Sequence, residues 1–247
     1  KKTYGIGESN MSRQAYDVEA HHKLARKVAE EGIVLLKNKG NILPLAEESK
    51  VVVMGDFAKK PRYQGAGSSL VNPSKAPETV LDCIQDSGLH MVSFAQGYKR
   101  NSKPDIQLIE DAIKVSKEAD VVLIIAGLDE IAEAEGLDRT HMKMPEAQDA
   151  LIAAVAEKHE NVIVVLSAGS PVEMPWADKV KGIVHGYLGG QAGASAMLNV
   201  LTGKVNPSGR LNESYSICYE DTPAFGYYPS KERNSEYRES VYVGYRY

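Results

Sequence analysis

Short continuous apolar runs alternate along most of this chain with stretches whose apolar residues recur three and four positions apart. The runs are VVVMG (Val51 to Gly55), HMVSF (His90 to Phe94), VVLIIAG (Val121 to Gly127), VIVVLS (Val162 to Ser167) and GIVHGY (Gly182 to Tyr187). Successive side chains of a strand point to opposite faces, so a run without polar alternation describes a strand covered on both sides. Between the runs, Glu78 to Asp86, Ile106 to Lys117, Ala147 to Lys158 and Ala192 to Leu201 carry helical spacing. Strand and helix in alternation predict an α/β fold: an open three-layer α/β sandwich with a mostly parallel five- or six-stranded sheet. IVLLK after Gly32 is a further short β-branched run, and Pro44 in the following ILPL excludes a central strand position there.

Outside this alternating region the pattern fails. Residues 1–17 show no periodicity and read as a linker, after which Asp17 caps a helix with Ala20, Leu24, Ala25 and Val28 on one face. The sandwich domain is expected over 18–214. Residues 215–247 hold eight of the 13 tyrosines and no helical period, which predicts an extended segment packed over the domain by its rings. Stacking of those rings on sugars is the alternative. The sequence starts at Lys1 without a signal-peptide pattern and stops on an aromatic run, and so reads as a piece of something longer.

At 247 residues, 43% hydrophobic and 25% charged, the chain has the composition of a globular protein. A formal charge of -4 gives no electrostatic reason to expect a nucleic acid partner. The longest apolar run, Val121 to Leu128, is far shorter than the ~20 residues that cross a bilayer, so no membrane partner is expected. Cys83 and Cys218 are isolated and the six histidines lack HExxH spacing, so no metal and no cofactor is predicted. Two unpaired cysteines suit the cytoplasm without excluding export.

Strand ends are where chemistry gathers in such sheets. After Gly127 comes LDEIAEAEGLDR, which places Asp129, Glu130, Glu133, Glu135 and Asp138 in one loop ending at Arg139. Like charges in close quarters raise one another's pKa values, as a general acid requires; a solvated loop with Asp138 and Arg139 as a structural ion pair is the other reading. After Gly55 a small-residue loop, Gly65 to Ser69 (GAGSS), allows backbone N–H groups close to a ligand. It fits neither the P-loop nor the dinucleotide fingerprint, which sets nucleotide binding aside. Trp176 in SAGSPVEMPW reads as core, and GGQAG (Gly189 to Gly193) as close helix–strand packing.

Six blocks in sequence, AEEGIVLLKNKGNILPL, GAGSSLVNP, EAEGLDRTHMKMPEAQ, SAGSPVEMPW, GYLGGQAGASAMLNVLTGKVNPSGRL and YRESVYVGYRY, resemble the second, C-terminal domain of glycoside hydrolase family 3 from about Ala20 to Tyr247. The resemblance implies a retaining, exo-acting β-glycosidase, β-glucosidase or β-xylosidase in type, acting on small β-linked glycosides or oligosaccharides. It implies that an N-terminal (β/α)8 barrel of the same parent protein holds the Asp nucleophile and most sugar contacts. The sandwich then supplies the general acid/base from the EGxDR pattern, here Glu135 to Arg139, with Glu133 as the competing carboxyl. Ser68, beside Ser69, matches a serine that reaches the sugar, and Arg139 closes the same site. On this reading crowding raises the Glu135 pKa while Asp138 holds Arg139 away, and the chain alone is hydrolytically silent. The rivals are a non-catalytic carbohydrate-binding or structural module, an unrelated nucleotide-binding α/β domain, and a family member of the N-acetylglucosaminidase kind with its acid/base on the barrel; the EGxDR loop argues against the last.

Overall fold

Residues 16–73, 75–228, 233–234 and 236–246 are described in the computed structural model. Most of the expected linker therefore lies outside the described residues, as does Tyr247. Asp17 accepts from the Ala20 amide at 2.9 Å and starts α1 (Val18–Gly32).

One six-stranded sheet organises the chain: β1 (Val34–Asn38), β2 (Lys50–Met54), β3 (His90–Ala95), β4 (Val121–Gly127), β5 (Val162–Ser167) and β6 (Gly182–His185). Their spatial order is β1-β6-β5-β4-β2-β3; β2 to β6 run parallel, and β1 pairs antiparallel with β6 at one edge. The helices are α2 (Asp56–Lys59), α3 (Val80–Cys83), α4 (Ile106–Ser116), α5 (Glu146–Ala156) and α6 (Gly193–Leu201). The mostly parallel sheet and both helical layers thus match the α/β expectation. The long helix expected from Glu78 is instead the single turn of α3 followed by a 3₁₀ turn, Ile84–Ser87; the edge strand β1 falls on the IVLLK run, and the short α2 is an addition.

Strand alternation divides the core into two layers. Val52, Met54, Val122, Ile124, Ala126, Val164 and Leu166 pack with Ala112 of α4 and Leu151, Ile152 and Val155 of α5. Val51, Val53, Leu123, Ile125, Ile163 and Val165 pack on the other face with Phe57 of α2, Val80 of α3 and Ala194, Leu198 and Leu201 of α6. α1 lies outside α6 and completes that layer. Among the described residues no helix is long and apolar enough to cross a membrane.

Trp176 is buried in the α4/α5 layer, as expected, and its indole N–H donates to Asp149 Oδ1 at 2.8 Å. Burial pushes the Asp149 carboxyl up to about 6, against an unfolded value of about 3.9. A raised carboxyl favours the folded state most at low pH, and this contribution is lost as pH rises from about 4 through about 6. Asp149→Asn, which keeps the acceptor for Trp176, is expected to stabilise the fold by about 1–3 kcal/mol at pH 8 and by much less at pH 4. Urea melts at the two pH values check this; equal effects would show that the ionised carboxyl carries no penalty.

Tyrosines of the C-terminal segment behave unequally. Tyr215 is half-buried and its ring meets His185 at 5.7 Å, and Tyr219 meets Phe225 edge-on. Tyr227, Tyr228, Tyr237, Tyr242 and Tyr245 are exposed.

Candidate active site at the carboxyl ends of the sheet

Because β2 to β6 are parallel, the loops that follow them emerge along one edge of the sheet, and three of them meet there. The loop after β4 contains the five carboxylates. It is joined to the loop after β2 by a parallel bridge between Ala66 and Ala134, with the Glu135 amide donating to Ala66 O at 3.2 Å. The loop after β5 joins through Gly169 and Ser170.

Each acidic side chain has its own partner, so the expected crowding is not what governs this loop. Asp129 is buried and its Oδ1 accepts from the Ile131 and Ala132 amides at 3.0 and 2.8 Å, a turn made by side chain and backbone. Glu130 pairs with Arg100 at 3.4 Å and lies 3.9 Å from Arg62. Asp138 accepts from the Tyr228 hydroxyl at 2.9 Å.

Glu133 is the most tightly held. The Gly169 amide donates to both of its oxygens at 3.0 and 2.9 Å, Ser170 Oγ donates to Oε1 at 2.7 Å, and Arg62 Nη1 lies 3.4 Å from Oε2. Arg62 is itself buried, donating to the Leu128 and Asp129 carbonyls at 3.1 Å and to Gln64 O at 2.9 Å. A buried guanidinium needs a counter-charge, and Glu133 supplies it across two loops.

Glu135 is exposed. Its Oε2 accepts from the Ser68 amide at 2.7 Å and from the Ser68 hydroxyl. These donors hold its carboxyl below the ordinary carboxylate range, the reverse of the shift expected from crowding. Gly67 makes the approach possible: its φ is +88°, and a Cβ there would lie 2.6 Å from Glu135 Cβ. Ser69 does not join this contact; its hydroxyl turns back to Ala66 O at 3.3 Å.

Arg139 departs from expectation too. Asp138 does not hold it. Its Nη1 donates to Ser170 Oγ at 2.9 Å and to Pro171 O at 3.1 Å, so Ser170 links Arg139 to Glu133. Arg139 borders a cavity of about 310 Å³ shared with Met142, Glu213 and Glu239. A larger cavity, about 690 Å³, lies against α1 between Leu24, Val28 and Tyr187 and carries no carboxylate. The chemistry lies elsewhere.

Ser68 on the loop after β2 and Glu133, Glu135 and Arg139 on the loop after β4 thus come together, braced by Gly169 and Ser170 of the loop after β5. Sequence reasoning missed Arg62, Gly169 and Ser170, although Arg62 is the one cation between Pro61 and Pro73, opposite a loop rich in carboxylates. Among the described residues no cluster of His, Cys, Asp and Glu could hold a metal ion. Of the two candidate carboxylates, Glu135 is reachable and Glu133 is locked.

Residues 33–245 match the model of the glycosyl hydrolase family 3 C-terminal domain. The thermostable beta-glucosidase B of Acetivibrio thermocellus is 44% identical over 243 residues, 97% of this chain and 32% of that protein. The exo-alpha-(1->6)-L-arabinopyranosidase of Bifidobacterium longum is 42% identical over 94% of this chain and 32% of its own length. The crystal structure of the Bifidobacterium adolescentis beta-glucosidase superposes with a TM-score of 0.89 at 42% identity, covering 96% of this chain and 35% of that one. The chain spans about a third of the length of the curated relatives it matches.

Proposed function

The chain belongs to glycoside hydrolase family 3, as the C-terminal domain of its beta-glucosidase-like enzymes, and from this premise we propose that it supplies the general acid/base of a retaining, exo-acting β-glycosidase. The rest of the site belongs to a (β/α)8 barrel of the same parent protein, which carries the Asp nucleophile. β-Glucosides are the favoured substrates.

The observation that supports this reading is the contrast between the two candidate carboxyls. An acid/base must be reachable and must change its protonation state during turnover. Glu133 is engaged by the Gly169 amide, the Ser170 hydroxyl and the Arg62 guanidinium, which occupy both of its oxygens and keep it from a substrate. Glu135 is exposed and carries only the Ser68 donors. We assign the acid/base role to Glu135 and a positioning role to Glu133.

The barrel Asp attacks the anomeric carbon, the glycosidic C–O bond breaks, and protonated Glu135 gives its proton to the departing oxygen. In the second half the Glu135 carboxylate takes a proton from water, whose oxygen attacks the same carbon and releases the Asp. Covering the loop with the barrel would remove water from Glu135 and raise its pKa toward the value an acid needs. Ser68 and Ser69 stand on the loop after β2 and Arg139 on the loop after β4, and Ser68 is the one that would meet substrate beside Glu135.

A second reading of the substrate has a specific basis, since one relative at 42% identity is an arabinopyranosidase. A terminal α-L-arabinopyranoside presents an equatorial leaving group as a β-glucoside does, so the same acid serves either sugar. The test compares this chain alone with the parent polypeptide on aryl β-glucosides and aryl α-L-arabinopyranosides. Turnover by the parent and none by this chain is the expected result. Hydrolysis by the isolated chain that Glu135→Ala abolishes would overturn the two-domain account.

A further inference from the structure

A carboxyl that must donate a proton is gripped here by two donors that favour its charged form. The Ser68 amide and hydroxyl both reach Glu135 Oε2. The grip is built into the backbone: Gly67 occupies positive φ, and any Cβ on it would lie 3.1 Å from that same oxygen and 2.6 Å from Glu135 Cβ. The Ala66–Ala134 bridge sets the two loops in register for it.

No other charged group explains the contact. On the same loop Glu133 is engaged with Arg62, Gly169 and Ser170, Asp138 with Tyr228, and Arg139 with Ser170 and Pro171. From the loop after β2 Arg62 is buried against Glu133, and residues 64–73 contain no charged side chain. From the loop after β5 the Gly169 amide, the Ser170 hydroxyl and the Pro171 carbonyl bond to the acidic loop, and its Glu173 acts on Arg139 rather than on Glu135. Ser68 is therefore the group that sets the resting state of Glu135.

We propose that Ser68 is a latch on the acid/base: it holds Glu135 in place while the loop is open and releases it when a sugar hydroxyl set against the loop takes over the serine hydroxyl. The inference rests on the assignment of Glu135 as acid/base. A serine hydroxyl turns about one bond, so a substrate hydroxyl can compete for it. Once released and covered, Glu135 takes a proton from solvent and then passes it to the leaving oxygen. Ser68 is a positioning residue in this scheme, acting through Glu135.

The pH profile of the parent enzyme separates this from a merely structural role. The alkaline limb of kcat/KM reports the acid in the free enzyme, and that of kcat reports it in the substrate complex. Ser68→Ala is expected to move the kcat/KM limb to higher pH while leaving the kcat limb where it is, and Ser68→Thr, which keeps the hydroxyl, is expected to restore the original profile. Gly67→Ala, which forces the carboxyl off the serine, should reproduce the Ser68→Ala shift. An unmoved kcat/KM limb, or two limbs that move together, would overturn the latch. Glu135→Gln keeps the two ideas apart: full turnover in that variant would remove the acid/base assignment itself. Lost turnover that azide restores, with the Ser68→Ala limb unmoved, would remove only the latch.

Discussion

Glu135→Gln in the parent enzyme is expected to lower kcat/KM on disaccharides and alkyl β-glucosides by about 10²–10⁴-fold, the range general acid catalysis contributes. An alkoxide leaves poorly without a proton, whereas a nitrophenolate scarcely needs one. The loss on aryl glycosides with acidic phenols should therefore be smaller in the first half-reaction. Deglycosylation still lacks its base, so the glycosyl-enzyme accumulates, and azide, which attacks without giving up a proton, should restore turnover and yield a glycosyl azide.

Glu133→Gln is expected to behave differently. It removes the nearer of the two carboxylates that face the buried Arg62, leaving only Glu130 at 3.9 Å, and weakens the tie from Gly169 and Ser170. The defect should not depend on the leaving group and azide should not relieve it, because the missing part is support rather than proton transfer. Leaving-group dependence and azide rescue for Glu133→Gln, but not for Glu135→Gln, would exchange the two roles.

Where the residues speak through spacing, the sequence was a good guide. β4 and β5 occupy the two continuous runs expected of strands, Val121–Gly127 and Val162–Ser167, because a buried central strand leaves no polar position to blur its limits. β1 is an edge strand whose later residues are only half-buried, and α2 is a single turn too short for any period to show. The acidic loop was legible as a cluster of carboxylates but not as a set of separate contacts. Its partners lie far along the chain: Ser68 is 67 residues from Glu135, and Tyr228 is 90 from Asp138. Neighbouring charges suggested raised pKa values, and the donors that hold Glu135 low come from loops that only the sheet brings close.

Among the substitutions that would test how tightly the sheet positions this loop, Gly127→Ala should be the most damaging. Gly127 is the last residue of β4, directly before the acidic loop, and pairs with Ser167 of β5. Its φ is +146°, and a Cβ would meet Ser167 O at 2.0 Å and Ser167 C at 2.6 Å. These are backbone atoms of a central strand, so no side chain can move aside to make room. The Gly127 amide also donates to the buried Gln148 Oε1 at 2.7 Å, which pins the strand end to α5. Relief would require separating β4 from β5, and a loss of about 3–5 kcal/mol is expected, at the upper end of single-residue effects. At this chain size that is a fall in Tm of roughly 6–20 °C.

Two other glycines divide the cause. Gly136 has φ +79° and open space around it, so Gly136→Ala should cost only about 1–2 kcal/mol of backbone strain. Gly32, the last residue of α1, has neither a positive φ nor a neighbour within 4 Å, so Gly32→Ala should be neutral or stabilise by up to about 1 kcal/mol. Thermal melts of the three variants check the order. If Gly127→Ala melted no lower than Gly136→Ala, the close approach of the β4 and β5 backbones would not be what fixes the acidic loop. The loop would then have to be held by its own contacts, through Arg62 and Ser170, and Glu133→Gln rather than Gly127→Ala should displace Glu135.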